Sequence, residues 1–156
     1  VSLTAAHFHL AGFVVSSIVY ALLMDGGGGA KSGLLAWFSL IGMPLVALGI
    51  TLTRLGYVPF WEQFSALFFL FYSILLLSQL VSFVRTQGRA KGVRILVLGA
   101  TFSLSLGIFL AMLYAIRFQL PVTWVTIPNM KYWHGSLNAI GFGWLALSAF
   151  SGLTER

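Results

Sequence analysis

Three histidines, one glutamate and one asparagine are the side chains of this 156-residue chain best suited to moving or steering a proton. His7 and His9 lie near the amino end in TAAHFHLAGF, Glu62 follows Trp61 in FWEQF, and His134 precedes Asn138 by four residues in KYWHGSLNAIGF. An imidazole exchanges protons near neutral pH, and a carboxyl group becomes a useful acid when burial disfavours its charge. Residues two apart on a helix are about 200° apart, so His7 and His9 cannot share a face. His9 aligns with Gly12, Ser16 and Tyr20, a small and polar stripe expected to face inward, whereas His7 aligns with Ala11, Val14 and Ile18 and is expected to cap or hydrogen-bond near the interface. His134 and Asn138 share one face. Glu62 heads a stripe of Ser65, Phe69, Tyr72, Ser73 and Gln79.

The elements that must carry these groups follow from composition. With 59% hydrophobic and 8% charged residues and a mean hydropathy of +0.96, a soluble domain with a charged surface is excluded. Apolar runs long enough to cross roughly 30 Å of hydrocarbon occur near 5–24, 33–53, 61–84, 93–116 and 132–152. The expected fold is all-α, an integral membrane bundle of five transmembrane helices forming one domain over residues 1–156. The first run is too long, and too polar near its start, for the core of a signal peptide. The chain opens on Val, which leaves room for an upstream segment.

Alternating spans place Lys31, Arg85, Arg89, Lys91, Arg94 and Arg156 on one side and Arg54, Arg117 and Lys131 on the other. The positive-inside bias then predicts a plasma-membrane protein with its amino end outside and its carboxyl end cytoplasmic. DGGGGAKSG at 25–33 is a connection and not a phosphate loop, because it lacks the GxxxxGK[ST] spacing. Gly99, Ser103, Gly107, Ala111 and Ala115 recur every four residues and predict a close helix contact.

The same alternation gathers His7, His9, Arg54, Tyr57, Glu62, Arg117, His134 and Asn138 at the outer end of the bundle. Polar groups at membrane depth are costly and usually face the interior, so one outer site is the simplest reading. Phe13, Tyr57, Trp61, Tyr72 and Trp133 are the aromatic candidates for lining it, able to solvate a cation through their π-faces, and Arg54 and Arg117 are the cationic ones. The absence of cysteine excludes thiolate metal sites and iron–sulfur clusters. No aspartate-rich cluster is present to hold magnesium on a diphosphate, and no dense basic face suits nucleic acid. Neither a cofactor nor a metal is expected.

HFHLAGF at 7–13, GMPLVALGITL at 42–52 and HGSLNAIGF at 134–142 resemble, in that order, the YndJ-like integral membrane family. Bacterial membrane-bound indole sesquiterpene cyclases look similar to this group. The resemblance implies cyclisation of a membrane-soluble isoprenoid, such as a farnesylated indole, begun by protonating an alkene or epoxide. His7, His9, His134 and Asn138 are the motif positions onto which family function would map. The residues themselves allow a Brønsted-acid start, with Glu62 or a protonated histidine as donor and His9 or His134 as the final base. Two other readings stand beside it. A transporter or lipid-binding protein would use the electropositive outer end, and a haem protein would use His9 with His134 as axial ligands. A zinc site through the histidines and Glu62 ranks below these, since the spacing of His7 and His9 cannot chelate one ion on a regular helix.

Overall fold

Hydrocarbon offers backbone N–H and C=O groups no partner but one another, so long apolar runs fold as helices. The computed structural model of the chain describes residues 12–25, 30–56, 60–85, 90–117, 119–120 and 122–151, and the regular structure among them is all helical. In chain order these are α1 (Phe13–Met24), α2 (Ala30–Arg54), α3 (Trp61–Arg85), α4 (Lys91–Ala115) and α5 (Ile127–Ser136). A π-helix over Leu137–Trp144 and α6 (Leu145–Ser151) continue α5 without a break.

Gly33–Thr53 within α2, and the whole of α3 and α4, are long and apolar enough to cross a membrane. The expectation of five alike spans is thus met in full by three helices. α1 is a shorter apolar helix of 12 described residues. The final run opens on IPNMKYWHGS, whose polar groups dilute its hydropathy. It also begins earlier than the expected 132. The Thr126 hydroxyl accepts the Asn129 N–H at 3.4 Å, Pro128 sits in the first turn, and the Asn129 amide donates to the Trp124 carbonyl at 2.7 Å. A capping threonine followed by a first-turn proline is a helix start that hydropathy overlooks.

α3 packs between α2 and α4, α4 runs along α5, the π-helix and α6, and α1 closes against α2, α3 and α6. The core joins Ile18 of α1, Leu35 of α2, Tyr72 and Leu76 of α3, Leu104 of α4 and Phe142 of the π-helix. On α1 the buried face is Val15, Ile18, Val19 and Leu22, while Tyr20 is 64% exposed. The stripe of Gly12, Ser16 and Tyr20 is therefore not the inward one. Its polarity lost to the larger apolar area of the valine and isoleucine face.

The predicted small-residue contact forms along α4. Gly99 meets Leu145, Ser103 meets Gly141 and Gly107 meets Asn138, all from the final helical run. A second close approach joins α2 to α3 at Gly49. A Cβ there would overlap the Ser65 side chain and lie 2.9 Å from the Trp61 carbonyl oxygen, which is backbone and cannot turn away. Gly49→Val should destabilise the protein by about 2–3 kcal/mol, whereas Gly92→Ala, with nothing within 4 Å, should be neutral or mildly stabilising. Thermal unfolding in detergent separates the two. Equal midpoints would show that α2 and α3 do not rely on this contact.

Candidate functional site

Among the described residues the polar side chains gather in two clusters, both touching α4. The first lies where α3 begins and α4 ends. Gly56 and Phe60 have positive φ, 73° and 76°, at the connection that reverses the chain between α2 and α3. Thr53 near the end of α2 then accepts the Glu62 backbone N–H at 3.1 Å, satisfying one of the open donors of the α3 amino end.

The Glu62 carboxylate is gripped by both guanidinium nitrogens of Arg117, Nη1 to Oε1 at 2.8 Å and Nη2 to Oε2 at 3.2 Å. Arg117 Nη1 also donates to the Tyr114 carbonyl at 2.8 Å, and the guanidinium lies 3.9 Å from the centroid of the Tyr114 ring. The side chains are 20% exposed for Arg117 and 9% for Glu62. Each charge also suits its own helix dipole, the acid at an amino end and the base at a carboxyl end. With both oxygens bound to one guanidinium, Glu62 clamps the start of α3 to the end of α4.

The second cluster is deeper. His134 lies seven residues into α5, roughly 10 Å along the axis, and its Nδ1 donates to the Gly107 carbonyl at 2.8 Å. A carbonyl only accepts, so Nδ1 carries the hydrogen and Nε2 of the neutral ring is the acceptor. The Asn138 amide Nδ2 donates to that Nε2 at 3.0 Å. Its 3.3 Å approach to Nδ1 is then a contact between two donors and not a bond. A Cβ at Gly107 would come within 2.8 Å of Asn138 Oδ1, so glycine makes room for the amide. Asn138 stands in the first turn of the π-helix, whose wider turn carries Gly141 and Gly143 against Ser103 and Val14. π-helical segments are rare and recur at functional sites.

Of the groups that the sequence placed in one site, Glu62 pairs with Arg117 and His134 with Asn138. Arg117 and Gly107 are ten residues apart, roughly 15 Å by helical rise, so the clamp and the half-buried His134–Asn138 pair meet α4 at different levels. Of the aromatic candidates, Tyr72 is buried, Trp61 is half-buried against the Phe64 ring, and Phe13 and Trp133 are 73% and 50% exposed and do not line the interior. His7, His9 and Tyr57 lie outside the described residues, as does the Arg54 side chain. No group of three or more potential metal ligands occurs among the described residues.

Sequence reasoning missed the Thr53 cap, the Gly107 carbonyl and the π-helix. The recurrence of Gly99, Ser103 and Gly107 pointed to the contacted face of α4, but no sequence signal announces which backbone carbonyl an imidazole will choose.

Neither a curated protein nor a solved structure matches the chain. The family model described as YndJ-like protein matches residues 1–142, a stretch that runs through every span to the π-helix and includes both polar clusters. The chain belongs to the YndJ-like family.

Proposed function

We propose that this protein is a membrane-embedded isomerase that handles a proton through His134 on an apolar, bilayer-soluble molecule. One observation carries the reading: a half-buried imidazole seven residues along α5, roughly 10 Å from the start of that helix, held by a backbone carbonyl and a side-chain amide beside a π-helix. An ionisable group at such depth is a functional candidate by default. In this reading α1 and the α5 to α6 run are the first and fifth spans. The amino end faces away from the cytoplasm of a bacterial cell, following the distribution of Lys and Arg.

The reaction proposed is cyclisation of a prenylated aromatic such as a farnesylated indole. The paired Glu62 is poorly placed to begin it. Protonated His134, whose Nε2–H passes from the Asn138 amide oxygen to the epoxide oxygen, is the donor proposed among the described residues. An imidazolium is too weak an acid for a simple alkene but suits an epoxide, whose carbon–oxygen bond breaks as the oxygen takes the proton. Alkene electrons form the new carbon–carbon bond, a proton leaves the final cation for the imidazole, and the product is an isomer of the substrate. Aromatic walls stabilise the cation and keep water out.

Incubation of the protein in membranes with farnesylated indoles and their terminal epoxides should give products of unchanged mass from the epoxides. Glu62→Gln should retain that activity where the protein stays folded. Recovery of starting material alone, from a folded preparation across the whole panel, would remove the catalytic assignment.

A second reading, a lipid-binding or transport protein, is favoured by the exposed Lys131 and the half-buried Arg117 near one end of the bundle. It predicts that ligand binding survives loss of the His134 imidazole, with no chemical turnover.

A further inference from the structure

Hydroxyl groups inside the spans are largely satisfied by their own helices. Ser65 donates to the Glu62 carbonyl at 3.0 Å, Ser73 to Phe69 at 2.8 Å and Thr101 to Val97 at 2.7 Å. A phenol is too long to fold back in this way. Tyr72, on α3, is 1% exposed, and its hydroxyl is buried without a hydrogen-bond partner among the described residues. A buried donor left unmade is expensive where no water reaches it, and such an orphan in a native fold calls for a partner that the protein itself does not supply.

Its position says what that partner meets. α3 and α4 run antiparallel and are pinned at Glu62 and Arg117. Ten residues along α3 from the pin is Tyr72, and ten residues back along α4 is Gly107, each roughly 15 Å from it. The Tyr72 backbone therefore lies at about the level of the carbonyl that holds His134. Its ring packs against those of Phe69 and Phe38, with centroids 5.6 and 6.5 Å away, and belongs to the buried hydrophobic core. No described cation is among these neighbours, which disfavours an anionic headgroup and suits a neutral molecule with one oxygen acceptor on a hydrocarbon body.

We propose that Tyr72 is a ligand-binding residue whose hydroxyl donates a hydrogen bond to the oxygen of a neutral isoprenoid at the depth of the His134–Asn138 pair. This rests on the isoprenoid reading above and adds to it the group that recognises the oxygen. The discrimination follows from the orphan itself: a site with an unpaired buried donor favours an oxygenated ligand over its hydrocarbon analogue.

The test compares wild type with Tyr72→Phe in nanodiscs, by thermal unfolding and by titration with a farnesylated indole and its terminal epoxide. Without ligand, Tyr72→Phe should unfold at or slightly above the wild-type temperature, because it removes an unsatisfied hydroxyl and keeps the ring. The epoxide should bind the variant roughly ten- to a hundredfold more weakly, while the parent hydrocarbon chain binds both proteins alike. A clear drop in the unliganded midpoint would show that the hydroxyl already has a protein partner and would overturn the proposal. Equal epoxide affinity in the two proteins would overturn it too, yet leave the isoprenoid reading standing. A Tyr72-dependent affinity without isomeric product would support the binding role and remove the catalytic one.

Discussion

Arg117→Ala lowers stability by about 2–3 kcal/mol, midway between the small worth of exposed ion pairs and the large cost of stranding a buried charge. The estimate follows from the geometry. Glu62 keeps 9% of its side-chain surface, so losing the bidentate guanidinium leaves a carboxylate that water can hardly reach. The variant also loses the stacking of the guanidinium on the Tyr114 ring at 3.9 Å.

Glu62→Gln combined with Arg117→Gln should be less damaging than Arg117→Ala, because neutral partners of similar shape leave no stranded charge. The double-mutant cycle built from the single glutamine variants should show a coupling of at least about 1 kcal/mol, as expected of residues in direct contact. Thermal unfolding in detergent at low and high salt measures all of these. Partial burial predicts that the wild-type midpoint moves little with salt. An Arg117→Ala midpoint indistinguishable from wild type would show that α3 and α4 are held together without the clamp.

His134→Gln has the larger consequence for chemistry. A glutamine amide can still donate to the Gly107 carbonyl and occupy much of the same volume, so unfolding should change by less than about 1 kcal/mol. It cannot carry a proton at neutral pH. If His134 is the acid and final base of the proposed isomerisation, turnover of the epoxide should fall by roughly a hundred- to ten-thousandfold, the usual worth of a positioned general acid or base. Epoxide binding should persist, since Tyr72 supplies the hydrogen bond to its oxygen. Asn138→Ala should cost less, about tenfold, because the amide orients the ring and does not exchange the proton. Turnover of His134→Gln within a few-fold of wild type would move the chemistry elsewhere in the bundle.

The contrast between these two experiments restates the main difference between chain and fold. From type alone Glu62 was the natural acid and Arg117 a cation to attract a ligand. In the structure they are each other's partner and join α3 to α4. Nothing local announces this, for the two lie 55 residues apart. They meet only because α3 starts and α4 ends at the same level of the bundle. The pairing of His134 with Asn138, by contrast, was legible at once, since four residues on a helix bring two side chains together whatever surrounds them.

Hydropathy and helical spacing by themselves determined the helical class, the approximate ends of α2, α3 and α4, the small-residue seam on α4 and the His134–Asn138 pair, because each depends on neighbours within a turn or two. Tertiary packing decided the rest: which face of α1 is buried, the clamp that pairs Glu62 with Arg117, the carbonyl that fixes the His134 tautomer, and the isolation of the Tyr72 hydroxyl among the described residues. Those outcomes hang on contacts between distant segments, where area buried and hydrogen bonds satisfied are compared across the whole bundle and no short stretch of residues holds the answer.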